Sequence, residues 1–195
     1  MRIWVLATML ALSPGAAWAH PGTRLTPDFM DGFAHPFAGT DHILAMAAVG
    51  LIGAAIGGQA RWLVPAAFIA MMVVGGAAAL GGAALPGVEL GIALSVVVLG
   101  ALIALDGPIS TTVAMALAGL FALFHGHAHG AEMAAGSSLT GYFPGFVLAT
   151  ALLHAGGLAV GVASCAADGS SGRYFRRTTG GAFAAVGLGI LLSAI

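Results

Sequence analysis

Two short polar segments interrupt an otherwise apolar chain and hold most of its metal-binding side chains. Residues 35–42 read H-P-F-A-G-T-D-H, and residues 124–132 read F-H-G-H-A-H-G-A-E. Together they contain five of the seven histidines and two of the seven acidic residues. Imidazoles and carboxylates are costly to bury among apolar groups, and a bound cation is the usual compensation. The two segments therefore predict a site for a metal ion.

The composition is that of an integral membrane protein. Hydrophobic residues make up 59% of the chain and charged residues 7%, the mean hydropathy is +1.02, and there are 31 glycines. Lysine is absent, which removes the phosphate-binding loop of ATPases, and a net charge of -1 gives no surface for nucleic acid. The single cysteine, Cys165, excludes both an internal disulfide and a thiolate metal cage.

The first 19 residues have the features of a cleaved signal peptide. Arg2 provides a positive start, residues 3–12 are apolar, and Ala17-Trp18-Ala19 forms an A-x-A cleavage site. The alternative is an uncleaved first span, but about ten apolar residues are too few to cross ~30 Å of hydrocarbon. We therefore expect a signal peptide at residues 1–19, a mature chain that starts at His20, and an extracytoplasmic arm over residues 20–34.

The rest of the chain divides into six apolar stretches of the length that a transmembrane helix requires, which is about 20 residues. Runs of Gly, Pro, Asp and Ser separate these stretches. The predicted spans cover residues 40–57, 62–80, 88–105, 109–127, 142–165 and 178–194. We therefore expect an all-α fold, a polytopic membrane helix bundle of six transmembrane helices within residues 35–195.

The arginines indicate the orientation of this bundle. With the mature N terminus outside, the loops that carry Arg61, Arg173, Arg176 and Arg177 face the cytoplasm, and Arg24 alone remains outside. This distribution obeys the positive-inside rule. It predicts a multi-pass protein of the plasma (inner) membrane whose mature N terminus is extracytoplasmic, or periplasmic in a Gram-negative cell. Both polar segments then lie at the outer face.

The first polar segment is expected to open a helix. Proline suits the first turn of a helix, so Pro36 predicts a helix start directly after His35. His35 and His42 would then lie seven residues apart on one stripe, with Asp41 about 100° around the helix. The three side chains can face one cavity and bind a metal ion. The alternative for Asp41 and His42 is a structural hydrogen-bonded pair at the membrane surface.

The second polar segment repeats the seven-residue offset. On a continuous helix His125, His129 and Glu132 stack at i, i+4 and i+7, whereas His127 points nearly the opposite way. The glycines at 126 and 130 leave an unwound segment as the alternative. Because alternating histidines also form solvent-exposed metal-catching tracts, His127 and His129 are weaker candidates for the site than His125 and Glu132.

Two further histidines lie outside the polar segments. His154 is about twelve residues into the fifth predicted span, which places it ~18 Å deep, near the bilayer midplane. An ionisable residue at that depth indicates function, and the alternative is a neutral imidazole bonded to a neighbouring helix carbonyl. His20, at the predicted mature terminus, adds an imidazole and a free amine as metal ligands.

The donor set of imidazoles and carboxylates suits Ni²⁺, Co²⁺, Zn²⁺, Cu²⁺ or iron and disfavours Cu⁺. The two polar segments resemble the signature motifs of the HupE/UreJ family, and the signal peptide and six-span layout resemble it as well. That resemblance implies a nickel permease, with cobalt as the alternative, associated with hydrogenase or urease. It assigns metal handling to His35, Asp41 and His42 in the first motif and to His125 and Glu132 in the second.

The expected function is transport of a divalent metal ion into the cell rather than catalysis. A rival interpretation is a membrane metalloenzyme, in which His125 and His129 form an H-x-x-x-H pair and Glu132 acts as a base. The H-x-x-H-H boxes of such enzymes are missing from this sequence. A third interpretation is an assembly partner or metal sensor. The expected partners are the metal ion and the lipid bilayer, with a homo-oligomer and an indirect link to hydrogenase or urease maturation proteins left open.

Overall fold

The computed structural model describes residues 28–133, 137–167 and 169–194, and its regular elements in these ranges are all helices. The predicted signal peptide, His20 and most of the predicted arm lie outside the described residues. The helices are α1 (Asp28–Ala38), α2 (Thr40–Ile56), α3 (Ala60–Leu80), α4 (Val88–Leu105), α5 (Thr111–Glu132), α6 (Leu139–Ala166) and α7 (Gly169–Ser193). The all-α prediction is confirmed for this part of the chain.

Four helices, α3 to α6, are long and apolar enough to cross a membrane, and they coincide with the predicted second to fifth spans. The pair formed by α1 and α2 brings the number to five if it is counted as one bent span. The sixth predicted span falls in α7, which carries three arginines and does not reach the same apolarity. The chain is therefore a multi-pass membrane protein, and the sixth span stays a prediction.

The predicted helix start at Pro36 is wrong. Pro36 lies inside α1, which begins at Asp28 and carries Asp28 and Asp31 in its first turn, where negative charge stabilises a helix. Gly39 then takes an extended conformation, with φ -105° and ψ 124°, and α2 leaves at an angle of 84° to α1. His35 and His42 therefore lie on two helices that meet at a sharp bend, not on one stripe.

Glycines allow the helices that carry the histidines to approach closely. A methyl group on Gly126 of α5 would overlap the Met72 carbonyl of α3, and one on Gly130 would lie 2.6 Å from the Gly76 carbonyl. In the same way Gly157 of α6 lies directly against the Ala47 carbonyl of α2. Such small residues let transmembrane backbones touch. The glycines of the H-G-H-A-H-G tract thus fix α5 against α3.

The charged residues separate to opposite ends of the bundle. One end, here called the arginine end, carries Arg61, Arg173, Arg176 and Arg177 together with Asp106. The other, here called the histidine end, is formed by the bend between α1 and α2, the last turns of α5 and the start of α6. The described acidic residues other than Asp106 are on the helix turns of that second end: Asp28, Asp31, Asp41, Glu89 and Glu132.

Candidate metal centre

Four histidines from three helices meet at the histidine end, and His129 of α5 is at their centre. Its ring centroid lies 4.6 Å from that of His35 on α1 and 4.4 Å from that of His42 on α2. His42 in turn lies 4.7 Å from His125, one turn deeper on α5. The helix α5 continues through Glu132, so the unwound alternative is not observed. Because of the bend between α1 and α2, His35 and His42 both lie beside His129.

The outer part of this centre consists of His35, His129 and Glu132. His35 Nε2 lies 3.1 Å from Glu132 Oε2, and one ligand atom from each of the three residues lies within 4.8 Å of the others. Two ligands on opposite sides of an ion with bonds of ~2.1 Å are ~4.2 Å apart, so a closure of a few tenths of an ångström would bring all three into contact with it. Two imidazoles and one carboxylate are suitable ligands for a divalent transition metal.

Asp41 fixes the orientation of His42. Its Oδ1 accepts the backbone N–H of His42 at 2.8 Å and lies 2.7 Å from His42 Nδ1. An ionised carboxylate only accepts hydrogen bonds, so Nδ1 carries the proton and Nε2 carries the lone pair. His42 Nε2 is buried and has no hydrogen-bond partner. A carboxylate behind a histidine is the usual support of a metal-ligating imidazole, so Asp41 acts through His42.

Buried ring nitrogens without partners identify the inner part of the centre. His129 and His125 are both 0% exposed. Neither ring nitrogen of His129 has a hydrogen-bond partner, and Nδ1 of His125 has none. Buried polar atoms of this kind are rare in folded proteins and call for a specific explanation. Each neutral imidazole has one lone pair, so the rings of His42, His125 and His129 can present up to three lone pairs in an enclosed site, which a cation would satisfy.

His154 of α6 lies deeper and contacts the same aromatic ring as His125. The Phe68 ring of α3 is 5.7 Å from His125 and 5.0 Å from His154. His154 is 2% exposed, and both of its ring nitrogens lack a partner. The alternative of an imidazole bonded to a helix carbonyl is thus not what the structure contains. Phe68 thus contacts both His125 and His154.

His127 is not part of the cluster. Its Nε2 lies 2.8 Å from the Ala83 carbonyl in the connection after α3, so the imidazole holds a loop at the histidine end. The opposite direction of His127 relative to His125 and His129 follows from the helical continuation of α5. His20, the remaining predicted ligand, lies outside the described residues.

Four residues of the site are not among those predicted from the sequence. Ser95 of α4 bonds His125, and the Phe68 ring contacts both His125 and His154. The rings of Tyr142 and Phe146 pack against His35 and His129 at 6.0 and 4.0 Å respectively. Ser95 is the one hydroxyl in an otherwise apolar stretch of residues 90–105, which could have marked it. The aromatic residues are indistinguishable in sequence from ordinary core residues.

Fold and site together define a multi-pass helical membrane protein with a histidine and carboxylate centre at one end of its bundle. The sequence model described as HupE / UreJ protein matches residues 7–190, and the chain belongs to this family. It is similar to Protein HupE of Rhizobium leguminosarum bv. viciae, with 44% identity over 189 residues that cover 96% of this chain and 97% of the relative. No solved structure matches the chain significantly.

Proposed function

We propose that this protein carries a divalent transition-metal ion, Ni²⁺ or alternatively Co²⁺, across the membrane into the cell. The observation that carries the proposal is the convergence of His35, His42, His125 and His129 with Glu132, several of them with unpartnered buried nitrogens. Membership of the HupE/UreJ family supports the same conclusion. The metal is cargo, so the residues named as its ligands act in capture and transfer.

The charge distribution supports inward transport from an outer binding site. Four arginines lie at the end opposite to the histidines. By the positive-inside rule the arginine end faces the cytoplasm, and the histidine end opens to the outside of the plasma membrane. A cation then arrives at a surface of carboxylates and imidazoles. This orientation also gives the mature N terminus its extracytoplasmic position.

The ligand arrangement suits transfer better than permanent storage. His129 belongs to both parts of the centre, since it neighbours His35 on one side and His42 on the other. An ion held first by His35, His129 and Glu132 can exchange one ligand at a time for His42 and His125. Transport requires binding that is weak or multiple enough to release the ion, and replaceable imidazoles meet that condition. His154 is the next binding position toward the cytoplasm.

The membrane potential is a sufficient source of energy. One elementary charge that crosses 100 mV gains ~2.3 kcal/mol, so a divalent cation gains ~4.6 kcal/mol. This corresponds to roughly a thousandfold accumulation at equilibrium. The absence of lysine, and with it of a phosphate-binding loop, is in line with transport that does not consume ATP in this chain.

Two further predictions concern the use of the metal inside the cell and the oligomeric state of the protein. Delivery of nickel fits the expected indirect link with hydrogenase or urease maturation, and cobalt delivery would point to corrin synthesis instead. The expected homo-oligomer is a separate prediction. Vesicle uptake with nickel and cobalt in competition identifies the preferred ion, and crosslinking in the membrane identifies the number of copies.

Uptake of radioactive Ni²⁺ into vesicles that contain the purified protein tests the proposal directly. We expect uptake that increases with an inside-negative potential and falls at least tenfold in His42→Ala and Glu132→Ala. His127→Ala is the matched control, because His127 comes from the same tract but lies outside the cluster. Vesicles without uptake, or normal uptake in the two site variants, would refute the transport function or the assigned site respectively.

A further inference from the structure

Ser95 contacts the centre from the middle of α4, where a hydroxyl is otherwise unexpected. It is 0% exposed, its Oγ lies 2.9 Å from His125 Nε2, and 30 residues separate the two in sequence. We propose that Ser95 is a positioning residue that fixes the protonation of the His125 ring so that Nδ1 is the metal ligand. This inference rests on the proposed function, since it specifies how one ligand of the transport site is prepared.

The position of the hydroxyl proton follows from the second contact of Ser95. Its Oγ lies 2.6 Å from the Ile92 carbonyl oxygen, which only accepts hydrogen bonds. The single hydroxyl proton is therefore donated to Ile92. At His125 the oxygen must act as acceptor, so the imidazole nitrogen Nε2 must carry a proton and donate it. A neutral imidazole has one N–H, which leaves the lone pair on Nδ1.

The other ring nitrogen is placed to use that lone pair. His125 Nδ1 is buried without a hydrogen-bond partner, and the ring lies 4.7 Å from His42, whose Nε2 is also buried and unpartnered. Ser95 thus prepares His125 in the way that Asp41 prepares His42. Second partners of this kind orient a metal-bound imidazole and raise its basicity. Asp41 and Ser95 each bind one ring nitrogen of their histidine, so each imidazole keeps one lone pair on the other nitrogen.

Ser164 of α6 provides an internal comparison. It makes the same kind of bond to its own helix, from Oγ to the Gly161 carbonyl at 2.7 Å, and it is also buried. In apolar helices the serine hydroxyl commonly donates its hydrogen bond to a carbonyl of its own helix in this way. The hydroxyl of Ser95 has an imidazole as its second partner, whereas the described contacts of the Ser164 hydroxyl end at its own helix. Loss of each hydroxyl should therefore have different consequences.

The test compares Ser95→Ala, Ser95→Thr and Ser164→Ala in the purified full-length protein. In Ser95→Ala the His125 ring loses its acceptor, and a proton on Nδ1 would face an arriving cation. We expect nickel affinity to fall about 10–100-fold, as for loss of other supporting partners of metal ligands. Ser95→Thr retains a hydroxyl and should restore the affinity to within a few fold, while Ser164→Ala should leave it unchanged.

The ring protonation is read separately by ¹⁵N NMR of histidine-labelled, metal-free protein, with the His125 signals assigned by their loss in His125→Gln. We expect the proton on Nε2 in the parent protein, in Ser95→Thr and in Ser164→Ala, and a shift toward Nδ1 in Ser95→Ala. A proton on Nδ1 in the parent protein, or unchanged nickel affinity in folded Ser95→Ala, would overturn the inference. Folding of each variant is checked by thermal unfolding in detergent.

Nickel transport and the positioning of His125 by Ser95 are tested by different measurements. Ring protonation is recorded without metal, so an Nε2–H that depends on Ser95 would stand even if vesicles showed no nickel uptake. That pattern would refute transport and retain the positioning of His125. Normal uptake by the parent protein together with an unaffected Ser95→Ala would instead retain transport and refute the positioning role.

Discussion

His35 Nε2 and Glu132 Oε2 lie 3.1 Å apart, although 97 positions separate the two residues in sequence. Their contact joins the last turn of α1 to the last residue of α5. The side chains are 32% and 53% exposed, so their contact adds little to stability. An imidazole and a carboxylate that meet beside the buried His129 are better explained as the entrance ligands of the metal path.

Simultaneous binding by His35 and Glu132 predicts that their effects are not additive. His35→Ala and Glu132→Ala should each lower nickel affinity by at least the ~10–100-fold seen for supporting partners. The double variant should lose less than the sum, because removal of either ligand already disables the same ion position. Binding titrations of the four proteins measure this coupling. Additive losses would mean that the two residues act on separate ions.

Because His35 and Glu132 are exposed, a loss of nickel affinity in these variants can be distinguished from a loss of stability. Since neither side chain is buried, the midpoint of thermal unfolding should change little in any of the three variants. Asp28→Asn is a suitable control, because it removes an acidic group from the same end of the bundle without touching the cluster. It should leave nickel affinity nearly unchanged.

His154 should affect the rate of transport more than the capture of the ion. Its ring contacts that of Phe68 at 5.0 Å, and His154 is not one of the outer ligands His35, His129 and Glu132. We expect His154→Gln to lower the maximal uptake rate at least tenfold while the apparent KM for nickel stays within about threefold of the parent value, because only an interaction used after capture is removed. Concentration series of initial uptake separate the two quantities. A large rise in KM with a normal maximal rate would place His154 in capture instead.

The helices of this protein could be predicted from the sequence because lipid imposes strict requirements on length and apolarity. The third span, residues 88–105, matches α4 at both ends, and the ends of the second and fifth differ by a few residues. The helix start predicted at Pro36 is wrong because that prediction places the proline in the first turn, its preferred position, whereas it lies near the end of α1. The negative charges of Asp28 and Asp31 are the sequence feature that indicates the true start.

The residue types of the candidate site could be predicted from the sequence, but the central position of His129 could not. The sequence favours His125 over His129, yet the His129 ring lies beside both His35 and His42. Spacing along a helix gives the direction of a side chain relative to its own helix only. Which neighbour that face meets depends on the packing of α5 against α3 through Gly126 and Gly130, a tertiary property. The bond between Ser95 and His125 is invisible in sequence for the same reason.

Adjacent glycines of α6 should respond oppositely to a methyl group. At Gly157 a Cβ would overlap the Ala47 carbonyl of α2, whereas at Gly156 no atom lies within 4 Å. Gly157→Ala should therefore lower the free energy of unfolding by about 1–3 kcal/mol, since the two backbones must separate. Gly156→Ala should be neutral or stabilise by up to ~1 kcal/mol through helix propensity. Thermal unfolding in detergent compares them. Equal effects of the two substitutions would argue against close packing of α2 on α6.

The ion pair at the arginine end predicts a specific dependence of stability on pH. Arg176 donates from Nε to Asp106 Oδ1 at 2.7 Å and from an Nη to Oδ2 at 3.0 Å, and both side chains are 15% exposed. This hydrogen bonding holds the pKa of Asp106 below its usual value of 3.8. The pair therefore stabilises the folded state above pH 3.8, and this stabilisation disappears as the pH falls through the lowered pKa.

Asp106→Asn isolates that contribution because Asn tolerates the left-handed conformation that Asp106 adopts, with φ 48°. At pH 7 the variant should be less stable by about 1.5–3 kcal/mol, the range for hydrogen bonds to charged groups. The gap between parent and variant should narrow as the pH falls below 3.8, because the parent's carboxyl is then protonated, first in the unfolded state and, at its lowered pKa, in the folded state. Arg61→Gln, which removes an exposed arginine at the same end, should change stability by less than ~0.5 kcal/mol. A gap of constant size from pH 7 to pH 3, measured by denaturant unfolding, would mean that the charge of Asp106 does not stabilise the fold.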